Sequence, residues 1–211
     1  MPPRTVIPEL LDHLPEDDPA ARRSRCDLRR INFLMGNERW ICRSALKFPE
    51  AARRGIVEMG AGDGRLCRKL ATHFPGVEIS AYDLAPPPSD LPSGITWQCG
   101  DLFEQNPPSG GILVANLFLH HFEAEALWKL GRWMENFELL LINEPDRARL
   151  PHLLGGLMHP FINHVTRHDM HVSIDAGFSQ GEIPRLLGLD ELRCRESSTW
   201  RGSRRVVAWR H

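Results

Sequence analysis

Residues 58–64 read Glu-Met-Gly-Ala-Gly-Asp-Gly, an acid followed by three glycines at alternate positions, between an apolar run and a helix-forming one. Glycines let a backbone approach a ligand closely, and the start of a following helix turns free N–H groups outward. Dinucleotide-binding turns share this design but space their glycines as GxGxxG. Here the third glycine is Gly64, and Arg65 stands at the dinucleotide spacing. Glu58, ahead of the turn, also suits a zwitterionic ligand better than a pyrophosphate. Two more carboxylates follow. Asp83 ends the next apolar run, where it can accept from both hydroxyls of a ribose. Asp101, in Cys99-Gly100-Asp101-Leu102, follows the run after that and is placed to accept from an adenine amino group. Either Asp alone is equally well explained as a turn or helix cap. Three acids at the ends of three successive strands point to a nucleoside-bearing ligand at one sheet edge.

Such residues need a frame of alternating strands and helices. Gly55 to Met59 reads as a short buried strand and Arg65 to Phe74 as a helix. Val77 to Tyr82 is a second strand, followed by a proline-rich loop from Ala85 to Pro92. Ile95 to Cys99 and Ile112 to Asn116 are the third and fourth strands, and Glu123 to Trp133 is an amphipathic helix. Phe137 to Asn143 is a fifth strand, very apolar, as a central strand covered on both faces should be. Strands separated by helices imply right-handed crossovers and a doubly wound, mostly parallel sheet. Beyond it, Arg147 to Ile162 reads as helical, 164–171 as a His-rich loop and Gln180 to Leu187 as a short helix. Leu192 to Ser197 and Arg204 to Trp209 are too closely spaced for a crossover and form an antiparallel hairpin.

The N-terminal stretch 1–20 carries five prolines and the acidic cluster Glu16-Asp17-Asp18, and reads as irregular. From Ala21 to Phe48 the pattern is helical, broken at Gly36-Asn37. Leu28, Ile31, Phe33, Leu34 and Met35 supply one apolar cluster, and Trp40, Ile41, Ala45 and Leu46 another. The expected organisation is one domain over 1–211: a helical extension at 1–50, a ligand-binding core at 51–145, and a lid loop, helices and hairpin at 146–211.

With 26 basic and 27 acidic residues the formal net charge is −1, so no overall basic field draws the chain to nucleic acid or an anionic membrane. Five widely spaced cysteines lack zinc-ligand spacing and read as reduced thiols. No apolar run reaches the roughly 18 residues that span a bilayer. The expectation is a soluble, cytoplasmic α/β protein, monomer or homodimer, with no resident metal.

From Ile56 to Leu141 the chain resembles the class I S-adenosylmethionine (SAM) dependent methyltransferases, on Glu58 to Gly64, Asp83 and Asp101. The resemblance, which extends over roughly residues 50–211, implies a seven-stranded sheet with a reversed last strand, here the C-terminal hairpin. It implies that Glu58, Gly60, Ala61, Gly62 and Gly64 line the methionine portion of SAM, that Asp83 holds the ribose, and that Asp101 and Leu102 flank the adenine. Leu84 and Asn116 complete the implied cofactor set. Asn116-Leu117-Phe118-Leu119-His120-His121-Phe122 is similar to the segment after strand four in the small-molecule branch. Asn106-Pro107-Pro108-Ser109 looks like the tetrapeptide of amino-methylating enzymes but precedes strand four instead of following it, and reads as a turn.

Methyl transfer from a sulfonium is an in-line displacement, so much of its catalysis is positioning. A hydroxyl acceptor also profits from a base, and neutral histidine suits that work. By the resemblance, His120 and His121 lie beside the transferred methyl; His120 is the base of choice, and a pair that only caps and packs is the alternative. In the His-rich loop, Arg167 or His168 is expected to touch an oxygen of the substrate from a lid. A metal set of His164, His168, Asp169 and His171, or a bare surface loop, are the alternatives there. Val165 to Asp169 with Ala176 to Ser179 also resembles bacterial methyltransferases of polyketide and quinone-type pathways. This implies O-methylation of a phenol, quinol or polyketide, with C-methylation or a non-catalytic SAM-binding subunit as alternatives. Phe33, Met35 and Trp40 are candidates for covering such an acceptor.

Overall fold

A computed structural model describes residues 3–15, 17–106 and 108–210. Glu16 of the acidic cluster and Pro107 of the expected turn lie outside the described residues. After an extended lead-in and a 3-10 turn at Leu10–His13, α1 spans Pro19–Met35. Its start is dictated locally: Asp18 accepts from the N–H groups of Ala20 and Ala21, and Pro19 occupies the first turn, where its missing N–H costs nothing. Gly36, left-handed at φ 70°, closes α1 and opens α2 at Asn37–Ala45. A short α3, Pro49–Arg53, follows across the expected boundary between the helical extension and the core.

The alternating core then runs β1 Ile56–Met59, α4 Arg65–His73, β2 Ile79–Asp83, β3 Ile95–Cys99, β4 Gly110–Asn116, α5 Ala124–Met134 and β5 Phe137–Pro145. It is followed by α6 Arg149–Met158, α7 His164–Asp175, α8 Glu182–Leu187, β6 Arg193–Ser198 and β7 Ser203–Trp209. One sheet holds all seven strands in the order β3-β2-β1-β4-β5-β7-β6. The first five pair in parallel, and β7 enters antiparallel to both β5 and β6. This is the doubly wound, mostly parallel α/β sheet with an antiparallel C-terminal strand and an N-terminal helical extension that the sequence led us to expect.

Both faces of the sheet are covered, which explains why apolar residues follow one another without alternation from Ile112 to Ala115 in β4 and from Leu139 to Ile142 in β5. Leu113, Ala115, Leu140 and Ile142 face α5 and α8, while Ile112, Val114, Leu139 and Leu141 face α2 and α4. Gly131 allows α5 to lie directly on α8, because a Cβ there would stand 1.8 Å from the Leu187 carbonyl oxygen. Parallel pairing brings the C-terminal ends of β1 to β5 to one edge, with Asp83 opposite Cys99 and Asn116 opposite Asn143.

Two expectations are corrected. The segment 164–171 is not a loop: Asn163 caps it by accepting from Thr166 N–H (2.8 Å), and a regular helix follows to Asp175. Nor do the apolar residues of α1 form one buried cluster. The buried residues of α1 are Ala21, Ser24 and Asp27, and Phe33 and Leu34 are exposed. A polar seam holds α1 to α7, in which Thr166 Oγ1 donates to Ser24 Oγ at 2.9 Å and Asn163 N–H donates to Asp27 at 3.0 Å.

Candidate active site

The glycine turn leaves β1 with Gly60, Gly62 and Gly64 all at positive φ, between 55° and 66°. L-residues other than glycine rarely adopt such backbone, so the three alternate glycines are a geometric requirement here. A Cβ on Gly60 would meet the Phe118 ring at 2.3 Å, whereas nothing lies within 4 Å of one on Gly62. The turn is thus walled at one end and open at the middle. Asp83 is tied to it: one carboxylate oxygen accepts from Gly62 N–H at 2.7 Å and the other from Ala85 N–H at 2.9 Å. A carboxylate has about four acceptor positions, so each oxygen keeps capacity for another donor. Leu84 beside it is exposed.

Glu58 lies under the turn and is almost fully buried. Burial pushes its carboxyl up to about 8, against the opposing effect of the Cys67 thiol, which donates to it at 2.7 Å. The Cys67 thiol is itself raised, first by burial and then by the neighbouring carboxylate. Asp101, exposed after β3, accepts from Phe103 N–H at 2.9 Å and so caps the 3-10 turn Leu102–Glu104, with Leu102 buried. Asn116, at the end of β4, accepts from Asn143 Nδ2 at 3.0 Å. Sequence reasoning missed the aromatic row joining these strand ends. Phe103 and Phe118 each meet Phe122 edge-on, with ring centroids 5.8 and 4.9 Å apart. Three phenylalanines spread over 103–122 were the available signal.

Past β4 the chain makes an unusual bend. Leu117 has φ 54°, the only positive value outside glycine among the described residues, a conformation that costs on the order of 1–3 kcal/mol. It is held by its own N–H on the Asn143 carbonyl (2.8 Å) and by the wholly buried Glu144. Glu144 accepts from the N–H groups of Phe118 and Leu119 at 2.9 and 2.8 Å and from His120 Nδ1 at 2.8 Å. A strained turn pinned by one carboxylate presents residues 117–121 at the sheet edge. Glu144, a charge shortly after the apolar run Leu139 to Ile142, could have been read from the sequence.

His120 is buried, with Nδ1 on Glu144 and Nε2 3.7 Å from Glu9 Oε1. Burial alone would lower its pKa. The two carboxylates outweigh burial and raise it to about 9. His121 packs against it with centroids 4.1 Å apart. Desolvation and the adjacent His120 cation lower its pKa, although its edge reaches solvent. A cavity of about 220 Å³ opens beside the pair, lined also by Ile7, Glu9, Asp12, Val172 and Ala176. Nothing in the sequence pattern pointed to Glu9, whose place here depends on a contact across more than a hundred residues.

The other expected residues are not brought to this cavity. Arg167 and His168 are exposed on α7; Arg167 Nε donates to the Ile162 carbonyl (3.1 Å), and His168 Nδ1 lies 3.0 Å from Asp169. Neither lines the cavity, because helix formation turns them outward. His164, His168, Asp169 and His171 are likewise dispersed. Asp169 is buried and accepts from the N–H groups of Leu10 and Leu11 at 2.8 and 3.0 Å. His171 instead joins a chain of imidazoles, 2.9 Å from His152 and 3.0 Å from His159, with His152 3.1 Å from Asp175. Of the candidate acceptor covers, Phe33 is exposed and Trp40 lies under the Arg205 guanidinium at 5.2 Å.

No protein-family model matches the chain. Part of it is similar to trans-aconitate 2-methyltransferase of Mycobacterium tuberculosis, 37% identical over 89 residues, or 41% of this chain and 33% of that protein. Acetylserotonin O-methyltransferase of Mus musculus is 28% identical over 133 residues, 55% of this chain and 34% of that one. The matches thus span about a third of the length of these relatives. Among solved structures, the plantazolicin methyltransferase BamL, in complex with a triazolic analogue and S-adenosylhomocysteine (SAH), superposes with a TM-score of 0.73. It is 11% identical, with 95% of this chain and 92% of that chain covered. The pyocyanin biosynthetic protein PhzM superposes at 0.64 with 18% identity, covering 97% and 62%. No helix among the described residues is long and apolar enough to cross a membrane. With its seven strands in this order, its one reversed strand and these matches, the chain has the fold of the class I SAM-dependent methyltransferases.

Proposed function

We propose that the chain is a SAM-dependent methyltransferase acting on a small apolar or aromatic metabolite, at oxygen in preference to carbon. One observation carries the reading: the glycine turn is open above Gly62 and bonded through Gly62 N–H to Asp83, at the edge where the parallel strands end. In this reading the methionine portion of SAM lies along Gly60, Ala61, Gly62 and Gly64 with Glu58 beneath. Asp83 receives the ribose hydroxyls and Leu84 flanks the sugar. Asp101, Leu102 and Asn116 bound the adenine and the space towards the sulfonium. The phenylalanine row supplies an apolar wall that excludes water from the transfer.

The reaction needs the acceptor oxygen in line with the methyl–sulfur bond. An oxygen lone pair forms the new C–O bond as the C–S bond breaks; neutral SAH leaves and the hydroxyl proton is lost. The strained turn at Leu117, fixed by Glu144, sets the distance between the donor crevice and the cavity beside His120 and His121. His120, held through Nδ1 by Glu144, positions this wall. Taking the acceptor's proton falls to a group that lines the cavity and can receive it, such as Asp12. The cavity of about 220 Å³ sets the scale of the acceptor group that enters.

Calorimetric titration with SAH tests the donor site. Micromolar-range binding is expected for the wild-type chain, with a loss of at least about tenfold in Asp83→Ala, which removes a charge-assisted hydrogen bond partner. Equal affinity in the two proteins would move the donor elsewhere.

A further inference from the structure

Beside the proposed donor crevice, side chains from two distant parts of the chain converge on one point. Glu9, from the extended N-terminal lead-in, and His120 are buried; its chain neighbour His121 is open to solvent. Each offers one ligand atom, and the three atoms lie within 4.8 Å of one another. We propose that Glu9, His120 and His121 bind a divalent transition-metal ion of the zinc class, with its fourth position open to the cavity.

Four features support this site. First, the gap between His120 Nε2 and Glu9 Oε1 is 3.7 Å, too long for a hydrogen bond. Two metal–ligand bonds of about 2.0–2.2 Å meeting at a wide angle span that distance. Second, the donor set is two imidazoles and one carboxylate, a combination suited to zinc and its neighbours rather than to calcium or magnesium. Third, His120 Nδ1 is already held at 2.8 Å by Glu144, whose other oxygen is fixed by two backbone N–H groups. A carboxylate on the far nitrogen is the usual outer support of a metal-bound histidine; it fixes the ring and leaves Nε2 to face the ion. Fourth, Glu9 is itself oriented by a hydrogen bond from Ser173 Oγ. The neighbouring Leu10 and Leu11 N–H groups are anchored on Asp169. His121, whose ring is exposed, completes the set.

Three protein ligands and one vacancy facing a cavity are the pattern of metal sites that handle a substrate, as opposed to closed structural sites. Asp12 lines the same cavity and remains as an acidic neighbour. The ion's use in transfer rests on the methyltransferase reading: an acceptor with an oxygen donor would occupy the fourth position. Binding of the ion does not rest on it.

The test is calorimetric titration of the chelator-stripped protein with zinc chloride alone, together with measurement of zinc retained after dialysis. One ion per chain is expected, with affinity roughly 10–100-fold weaker in His121→Asn and in Glu9→Gln. The His171→Asn variant, which breaks the separate imidazole chain, should retain wild-type binding. His121 is exposed and Glu9→Gln is nearly isosteric, so circular dichroism should report folded proteins. No stoichiometric binding by the wild-type chain would overturn the proposal, as would binding indifferent to both ligand changes or lost in His171→Asn. Zinc binding by a chain that ignores SAH would keep the ion site and remove the donor reading.

Discussion

Glu58 is a carboxylate buried under the glycine turn with its pKa raised to about 8, against an ordinary value near 4.5. The folded chain therefore binds a proton that the unfolded chain has released across this interval. Stability falls with pH wherever the folded state holds more protons. The contribution from Glu58 is complete below about pH 4.5 and is lost as pH climbs towards about 8. Glu58→Gln keeps the shape and removes the titration. Denaturant unfolding of the variant is expected to show a flatter stability profile between about pH 5 and 8; a profile parallel to wild type would show that Glu58 is ionised in the folded chain. At this scale the sequence was informative where chemistry is local. Glycine spacing announced a positive-φ turn, and Asp83 needed only its place at a strand end. It was silent on Glu9, whose neighbour His120 lies more than a hundred residues away in the chain.

Elements packed through apolar side chains were legible; those packed through polar ones were not. The strands β3 and β4 and the helix α4 show their character in composition and period, and their observed bounds lie within a residue or two of expectation. The helix α7 was hidden. Its inward positions include Thr166 and Asp169, which bond to α1 and to the N-terminal strap, so the hydrophobic period that marks a helix is absent. The same polar seam misplaced the buried face of α1. Where two elements meet backbone to backbone, the tolerance is small. At Gly131 an added Cβ would sit 1.8 Å from the Leu187 carbonyl oxygen, so Gly131→Ala must push α8 off α5. A loss on the order of 1–3 kcal/mol, as for an overpacked core, should appear as a lower thermal midpoint. An unchanged midpoint would mean that α8 shifts at no cost.

Across the whole molecule, the parallel half-sheet and its C-terminal reversal followed from element order alone, since handed crossovers leave few alternatives. The covering of the active edge did not follow. The segment 3–13 crosses it as a strap. Thr5 N–H donates to the Asp175 carbonyl, Arg4 reaches the carbonyls of Ala176 and His120, and Asp169 receives Leu10 and Leu11. Asp169→Asn removes one acceptor and the charge. Hydrogen exchange at the Leu10 and Leu11 amides is expected to accelerate roughly tenfold, while the β4 and β5 amides keep their protection. Uniform acceleration would instead make the strap part of the global folding unit. The strap also carries a consequence for biosynthesis. Leu10 and its anchor are separated by 159 positions, and Arg4 and Ala176 by 172. On the ribosome, Glu9 therefore precedes its partner Ser173 by the synthesis of all five parallel strands. The cavity beside His120 and His121, lined also by Val172 and Ala176, closes only after α7 emerges.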